Sequence, residues 1–208
     1  VTDLLKSYSQ NSSDKSQFRK SLKIKQFKTG PVTSADLEVN EIILNGIKRS
    51  YPSQSWYFLS EENKNIGKEN IESDLVWIID PLDGTKDFIK GTGEYAVHIS
   101  LTYKKKTVIG AVILPSKDEL WISIEGAKTF CETRNGKKIN LANPNSKGME
   151  DMIIVTSRSH LHPELGKIIK KLKPAKVINM GSIGYKISSI LRGETDLYIT
   201  YSGPNESC

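Results

Sequence analysis

Residues 75–88 read LVWIIDPLDGTKDF, an apolar run that ends abruptly in acidic and turn-forming residues. Five consecutive apolar residues, 75–79, are typical of a strand that is covered on both faces. Asp80 follows directly, and the proline and glycine after it favour a tight, non-helical backbone. The stretch therefore predicts two carboxylates, Asp80 and Asp83, held at the end of a rigid strand.

The composition is that of an ordinary globular protein. The chain has 208 residues, enough for a sizeable core in one domain or two small ones, with 37% hydrophobic and 26% charged residues. The net charge is +6, but the basic residues are scattered in short runs that solvated faces explain. Aromatic and basic residues do not interleave, and no DNA-reading motif occurs, so no nucleic-acid partner is predicted.

Cysteine usage and hydropathy bear on the cellular location. Only Cys131 and Cys208 occur, so neither a disulfide framework nor a paired thiolate metal site is expected. No apolar run reaches transmembrane length and no signal peptide is visible, although the chain begins at Val1 and a preceding segment is expected. The predicted location is the cytoplasm, with peripheral attachment to the inner membrane left open.

The first part of the chain predicts a polar segment, a helix and then strands. Residues 10–30 are polar and basic and predict a mobile loop or an exposed hairpin. A helix is predicted over Thr33 to Ser50, with an apolar stripe formed by Val39, Ile42, Ile43 and Ile47. Strands are predicted at 55–60, 75–80 and 94–103, and in two further alternating segments; Tyr95, Val97, Ile99 and Leu101 are predicted to share one face.

The composition shifts at residues 141–150, which are rich in Asn, Pro, Ser and Gly. Strands and helices alternate after this point, as in a mostly parallel α/β sheet. We therefore predict an α/β protein of two parts. Residues 1–142 form an antiparallel-sheet part that carries a metal and phosphate site, and residues 143–208 form an α/β part that contributes substrate contacts.

Acidic residues follow two of the predicted strands. Glu61 and Glu62 end one strand much as Asp80 and Asp83 end the other. If these strands are neighbours, the carboxylates converge, and a divalent cation would remove their repulsion. All-oxygen ligands favour hard ions, Mg²⁺ above all. Taken singly, each residue also fits a solvated loop start or an Asx turn.

The Gly84–Thr85 pair predicts a phosphate site beside these carboxylates. If a helix begins near Thr85, its free main-chain N–H groups can hold a phosphate oxygen, and Gly84 allows close approach. A metal cluster next to a phosphate cradle indicates phosphoryl transfer to water, with two ions roughly 4 Å apart.

The motif DPLDGTKDF resembles the signature of the inositol monophosphatase superfamily, the Mg²⁺-dependent, lithium-sensitive phosphatases. The segments GPVTSADLEVN, LSEEN, VTSRSH and GSIGYKISSILRGETDLYI occur in the order of that family, so the resemblance covers nearly the whole chain. It implies a layered αβαβα sandwich of the type shared with fructose-1,6-bisphosphatase. It also implies a small phosphorylated substrate and leaves a homodimer open.

The resemblance implies a set of metal ligands for two or three Mg²⁺ ions. They are Glu61, Asp80, the main-chain carbonyl of Leu82, and Asp83. Glu61 resembles the ligand that bridges ions, and Asp80 resembles the carboxylate that two ions share.

The resemblance also implies the groups that act on water and phosphate. Thr85, together with Asp36 of the TSAD segment, would orient and activate the attacking water, and the amides of Gly84 and Thr85 would hold the phosphate. A second interpretation of Asp36 comes from spacing alone, because Thr33-x-x-Asp36 also fits a capping box at a helix N-terminus.

Within the superfamily, DPLDGTKDFIKGTGEY and SRSH are most similar to the 3'(2'),5'-bisphosphate nucleotidase branch, which serves sulfur metabolism. The resemblance implies nucleotide contacts from Ser157 and His160, and contacts of Ser182 and Lys186 with a second phosphate. Other interpretations stay open: a polar loop around Arg158, a helix N-cap at Ser182, and a solvated helix residue at Lys186.

One departure concerns the last metal ligand of the family, an aspartate in a WD-x-A motif after a GP-type loop. Here YSGPNESC begins such a loop and the sequence ends at Cys208, so it resembles a fragment that stops before this ligand. Three functions are therefore weighed: a bisphosphate nucleotidase acting on adenosine 3',5'-bisphosphate or PAPS, an inositol monophosphatase or inositol polyphosphate 1-phosphatase, and a catalytically impaired phosphate-binding module.

Overall fold

The structure of the chain is a computed structural model. It describes residues 1–10, 18, 20–27, 30–54, 56–62, 73–143, 146–159 and 162–201. The helices that can be described are α1 (Thr2–Gln10), α2 (Ser34–Ser50), α3 (Thr85–Lys90), α4 (Pro163–Leu172) and α5 (Ile183–Leu191), and short 3₁₀ turns lie at Pro115–Lys117 and Met149–Asp151. Within these ranges, none of the helices is long and apolar enough to cross a membrane.

The strands of the described residues form three sheets. A hairpin joins β1 (Lys25–Phe27) to β2 (Gly30–Val32). A seven-stranded sheet has the order β3-β4-β5-β6-β7-β8-β9, with members β3 (Tyr57–Ser60), β4 (Leu75–Asp83), β5 (Ala96–Tyr103), β6 (Lys106–Leu114), β7 (Glu119–Ile124), β8 (Phe130–Thr133) and β9 (Lys138–Ile139). A three-stranded sheet has the order β11-β10-β12, with members β10 (Ile153–Ser157), β11 (Lys176–Met180) and β12 (Leu197–Tyr198).

Strand directions divide the two larger sheets. Every pair from β4 to β9 is antiparallel, whereas β3 runs parallel to β4 and both pairs of the small sheet are parallel. A short turn suffices to join antiparallel neighbours, while parallel neighbours need a longer crossover such as α4 or α5. The mixed α/β class predicted from the sequence is confirmed, as is the strand–helix alternation of the C-terminal segment.

Burial of the central strands follows the predicted alternation on one face. Tyr95, Val97 and Leu101 are buried, on the face against which α2 and α3 pack. The prediction that residues 75–79 are covered on both faces is wrong at Ile78, whose side chain is 41% exposed. The physical reason is that α5 crosses the other face over β5 and β6, and Ile78 on β4 lies beyond that cover.

Helix α2 begins where the capping pattern predicts. Thr33 is the N-cap; its hydroxyl accepts a hydrogen bond from the Ala35 amide, and its own amide donates to Asp36. Val39 and Ile43 are buried as predicted, but Ile42 is 42% exposed, which corrects the predicted stripe. In a 3.6-residue helix Ile42 lies about 100° around from Ile43 and so faces water.

The prediction for residues 10–30 is partly wrong. Phe18 and Leu22 are buried in the core that also holds Leu5, Phe88 and Tyr95, so the segment is not simply a mobile loop. The exposed hairpin is present, because all three residues of β1 are exposed and pair with β2. Residues 11–17, 19, 28 and 29 lie outside the described residues.

Thr33→Ala is expected to lower the free energy of unfolding by about 1–2 kcal/mol, because it removes a buried helix cap and leaves helix amides without their acceptor. Chemical denaturation of the two proteins measures this difference. Thr129→Ala is the matched control, since that hydroxyl bonds Ser123 at the surface and its loss should change stability by less than about 0.5 kcal/mol. Equal effects of the two substitutions would contradict the cap.

Candidate active site

The parallel pairing of β3 with β4 brings the first acidic residue to the second. Ser60 lies opposite Ile79 in the register, and the Glu61 amide continues the ladder by donating to the Ile79 carbonyl at 3.1 Å. Glu61 at the end of β3 therefore lies beside Asp80, as the sequence predicts for neighbouring strands, although β4 runs on through Asp83. A cavity of about 460 Å³ opens at this point and is lined by Glu61, Asp80, Asp83 and His98.

Ionisation of Asp80 is disfavoured in this arrangement. Burial, and then the negative charges of Glu61 and Asp83, raise the pKa of Asp80 to about 7. A hydrogen bond between the Asp80 and Glu61 side chains acts in the same direction. Asp80 Oδ1 also accepts from the Leu82 amide at 3.1 Å, so the Asx turn considered as an alternative is present as well.

Asp83 is held differently, by three donors on one oxygen. A bulge in β4 between Asp80 and Asp83 turns the side chain toward β5 and α5. Asp83 Oδ2 lies 3.0 Å from His98 Nε2 and accepts from Ser182 Oγ at 2.6 Å and from the Gly184 amide at 3.0 Å. Burial opposes ionisation of Asp83, yet the hydrogen bonds from His98 and Ser182 lower its pKa below the ordinary value.

His98 is a site residue that was not predicted from the sequence, although a signal for it exists. The strand alternation places His98 on the face opposite Val97 and Ile99, and its register partner on β4 is Asp80. Strand pairing from sequence would therefore have placed this imidazole beside the acidic strand end. Because Asp83 is ionised, the His98 Nε2 atom carries the proton in the bond between them.

The carboxylates fit a hard divalent cation by their chemistry. In the arrangement of the described residues, no three acidic, histidine or cysteine side chains already stand at ligating distances. The raised pKa of Asp80, however, shows that its negative charge is disfavoured beside Glu61 and Asp83, and a cation would relieve that repulsion. Oxygen donors without thiolate or imidazole ligands suit Mg²⁺. The predicted ligand roles of Glu61, Asp80, Leu82 and Asp83 stay predictions.

The interpretations of Asp36 as helix cap and as partner of Thr85 coexist. Asp36 Oδ2 accepts from the Thr33 amide at 2.8 Å and from Thr33 Oγ1 at 2.5 Å. The other oxygen, Oδ1, lies 3.2 Å from Thr85 Oγ1, which also lies 3.0 Å from the Leu82 carbonyl oxygen. Burial raises the pKa of Asp36. One carboxylate thus caps α2 and is also one of the two acceptors within reach of the Thr85 hydroxyl.

Helix α3 begins at Thr85, which meets the condition set for the phosphate site, and Gly84 is its N-cap. Gly84 has φ +89°, a left-handed conformation that favours glycine. A Cβ there would lie 3.0 Å from the Glu94 carbonyl oxygen and 3.2 Å from the Ser182 amide nitrogen. The glycine is therefore required by close packing of the protein itself, in addition to the predicted approach of a phosphate, which stays a prediction.

Some of the residues predicted to contact the substrate lie at the same site. Ser157 ends β10 and is buried, and Ser182 is the N-cap of α5, as its alternative interpretation states, while its hydroxyl also donates to Asp83. Lys186 is 3% exposed and donates from Nζ to the Gly181 carbonyl at 3.2 Å, so its interpretation as a solvated helix residue is wrong. Burial lowers the pKa of Lys186. His160 lies outside the described residues.

Comparison with known proteins places this site in a family. The sequence model of the inositol monophosphatase family matches residues 2–207. The chain belongs to the inositol monophosphatase family. The resemblance drawn from DPLDGTKDF is thereby confirmed over almost the whole chain.

Curated relatives in the inositol monophosphatase family have two different names. The chain is 32% identical over 170 residues to the 3'(2'),5'-bisphosphate nucleotidase CysQ of Salmonella typhimurium, covering 81% of this chain and 65% of that protein. It is 31% identical over 182 residues to inositol monophosphatase 2 of Solanum lycopersicum, covering 83% of this chain and 67% of that protein. The chain thus spans just under two thirds of the length of the Salmonella relative.

A solved structure shows the shared fold. An IMPase/NADP phosphatase, crystallised with Mg²⁺ and phosphate, superposes with a TM-score of 0.67 at 22% identity, covering 83% of this chain and 63% of that one. The mixed sheets flanked by helices are therefore those of inositol monophosphatase structures.

Proposed function

We propose that this protein is a Mg²⁺-dependent phosphomonoesterase that removes the 3'-phosphate of adenosine 3',5'-bisphosphate, or of PAPS, to leave AMP or APS. The observation that carries the proposal is a buried lysine, Lys186, close to the acidic residues of β4. Lys186 is held within one helical turn of Ser182, which itself bonds Asp83. A substrate with two phosphates could place one at the carboxylates and the other near Lys186. Similarity to CysQ of Salmonella typhimurium supports the same substrate.

The chemistry of hydrolysis divides among the residues of the site. Mg²⁺, in the predicted two or three ions, would be held by Glu61, Asp80, Asp83 and the Leu82 carbonyl; when bound, it polarises phosphate oxygens and lowers the pKa of water. The crystallisation of a family structure with Mg²⁺ and phosphate supports this metal.

The protein groups orient the other reactants. The Thr85 hydroxyl, which lies within hydrogen-bonding distance of Asp36, would orient the attacking water together with that carboxylate, and the amides of Gly84 and Thr85 would take phosphate oxygens at the start of α3. The water oxygen forms the new bond to phosphorus and gives up one proton, the bond to the 3'-oxygen breaks, and that oxygen takes up one proton and leaves as a hydroxyl. We propose that residues 1–142 supply these groups, while residues 143–208 supply the substrate contacts of Ser157, Ser182 and Lys186, with His160 among them.

Inositol monophosphatase activity is the second candidate. The relative from Solanum lycopersicum is as similar to this chain as the nucleotidase is. A phosphate-binding module without activity is the third, and it differs from both by binding phosphate without turnover. The cytoplasmic location and the homodimer stay predictions.

Phosphate release distinguishes these candidates. The protein expressed from its full coding sequence, and the 208-residue chain beside it, would be assayed with Mg²⁺ on adenosine 3',5'-bisphosphate, PAPS and inositol 1-phosphate, with and without lithium. Preference for the nucleotides supports the proposal, and preference for inositol 1-phosphate replaces it with the second candidate. Absence of turnover, with phosphate binding detected by calorimetry, favours the binding module.

Lys186→Met is expected to lower kcat/KM for adenosine 3',5'-bisphosphate by about 10- to 100-fold, the loss of a charge-assisted contact with the second phosphate. Turnover of inositol 1-phosphate, which has one phosphate, should change much less. Steady-state kinetics on both substrates measure the difference. Lys170→Met removes the same charge from the exposed side of α4 and serves as the control. An equal loss on both substrates would contradict the proposed role of Lys186.

A further inference from the structure

Arg158 joins the two larger sheets of the fold. It follows β10 directly, and its amide extends the ladder by donating to the Met180 carbonyl at 2.9 Å, so its main chain is fixed in the small sheet. Its guanidinium reaches out of that sheet and pairs with Asp87 through Nη1 and with Glu94 at 2.7 Å through Nη2. Asp87 belongs to α3, and Glu94 precedes β5 of the large sheet. Arg158 thus lies in the bend after β10, as the polar-loop interpretation states, but its side chain is paired with other parts of the fold.

Each carboxylate that Arg158 holds touches one side of the active site. Asp87 lies in the first turn of α3, two residues after Thr85. Glu94 Oε2 accepts from the Gly181 amide at 2.7 Å, and Gly181 immediately precedes Ser182. Arg158 therefore reaches the phosphate cradle through Asp87, and it reaches the turn that holds Ser182 through Glu94.

The packing at this junction leaves little freedom. A Cβ on Gly181 would lie 2.5 Å from the Asp87 Cγ atom and 2.7 Å from the Glu94 carbonyl oxygen, so the Gly181 turn rests directly on both acidic residues. The Asp87 side chain is 3% exposed. A carboxylate this buried depends on its partner, because an unpaired buried charge is strongly destabilising. A shift of either carboxylate would therefore move the turn with it.

An arginine fits this junction better than a lysine would. Its guanidinium serves three acceptors at once: the two carboxylates and the Asn179 carbonyl oxygen, which lies 3.1 Å from Nη2. A planar fork of five donors can meet acceptors from three chain segments, whereas an ammonium is a point charge on a flexible stem. Lys186 supplies a further positive charge near Asp87 and Glu94, but its Nζ atom donates to the Gly181 carbonyl.

We propose that Arg158 is a positioning residue that fixes the phosphate cradle of α3 against the Gly181–Ser182 turn through its ion pairs with Asp87 and Glu94. The proposal rests on the proposed function, since it concerns the geometry of the same site. Arg158 acts on the substrate only through these neighbours. Its loss separates two groups that must meet one phosphorylated ligand, and a displacement of about 1 Å is enough to lower a rate ~100-fold.

Arg158→Met, Arg158→Lys and Arg134→Met test the proposal in the full-length protein. Arg134 also pairs with a carboxylate, that of Asp3, but both side chains are largely exposed, so its loss controls for removing one arginine ion pair. Each variant would be measured well below its own unfolding midpoint. The readouts are kcat and KM for the substrate that the wild type hydrolyses, and calorimetric binding of inorganic phosphate with Mg²⁺.

Arg158→Met is expected to lower kcat/KM by about 30- to 100-fold and to weaken phosphate binding at least about 10-fold, with a smaller loss in Arg158→Lys and none in Arg134→Met. Phosphate binding and kcat/KM within twofold of the wild type, alongside a lower unfolding midpoint, would show a purely structural ion pair and overturn the proposal. If the wild type binds phosphate but hydrolyses none of the substrates, the proposed function fails, and the binding comparison still decides the role of Arg158. If the wild type binds no phosphate, both fail.

Discussion

Asp80→Asn is expected to stabilise the protein in EDTA at pH 8 and, in the same molecule, to abolish Mg²⁺-dependent phosphate release. The substitution keeps the shape of the side chain and an oxygen that can accept from the Leu82 amide. It removes a negative charge that burial and the charges of Glu61 and Asp83 disfavour. This is the behaviour expected of a metal ligand, whose charge lowers stability when no metal is bound and is needed for activity.

The sign of the pH dependence follows from the direction of the shift. The pKa of Asp80 is about 7 in the folded protein, against an ordinary value of 3.8, so the folded state binds the proton more tightly. The stability that this proton contributes is therefore full below about pH 4 and is lost as pH rises to about 7. Between pH 5 and pH 8 this loss should amount to on the order of 2–3 kcal/mol in the wild type, and in Asp80→Asn this contribution is absent.

Thermal unfolding in EDTA from pH 5 to pH 8, for the wild type and Asp80→Asn, measures this difference. Adding Mg²⁺ at pH 8 should raise the midpoint of the wild type more than that of the variant, because a ligand that binds only the folded state stabilises it. Phosphate release should fall by at least ~100-fold. Asp74→Asn removes a charge at the exposed start of β4 and serves as the control. Parallel pH profiles of wild type and Asp80→Asn would disprove the interpretation.

Gly184→Ala is expected to lower the free energy of unfolding by about 2–3 kcal/mol, although alanine is the better helix former. Gly184 lies in the first turn of α5 where this helix crosses the large sheet. A Cβ there would lie 2.7 Å from His98 Nε2, 2.8 Å from Val112 Cγ1 and 2.9 Å from Ala96 Cβ. These neighbours belong to β5 and β6, and they cannot all move away without separating the helix from the sheet.

The same substitution should also disturb the candidate active site. The Gly184 amide donates to Asp83, so a displaced first turn of α5 takes away one of the three donors on that carboxylate. Urea unfolding gives the stability change, and the metal dependence of phosphate release gives the second effect.

Gly166→Ala supplies the matched control. Gly166 lies in α4, and a Cβ added there would have no heavy atom of another part of the fold within 4 Å, so alanine should raise the free energy of unfolding by up to about 1 kcal/mol. Opposite signs for the two glycines are expected. A gain in stability for Gly184→Ala would show that α5 does not pack against β5 and β6 at this distance.

Local pattern predicted the elements that carry the site. The apolar run before Asp80 and the capping pattern at Thr33 each depend on residues close in the chain, and each is present. The predicted end of the strand at Asp80 is wrong, because β4 continues through Asp83 and the turn comes only at Gly84. The helix start at Thr85 was predictable for the same reason. An error arose where burial depends on a distant element, as for Ile78, whose exposure reflects which part of that face the helix covers.

The sequence by itself determined that two acidic strand ends precede a glycine-led helix, since hydrophobic periodicity and turn chemistry act within a few residues. Only the tertiary structure decided which side chains hold those groups in place. Arg158 and Asp87 are 71 residues apart in the chain, and Ser182 and Asp83 are 99 apart. Such contacts depend on the packing of α5 and the small sheet against the large one. In the sequence, nothing distinguishes Arg158 from a solvated arginine, because only that packing brings its two carboxylate partners to it.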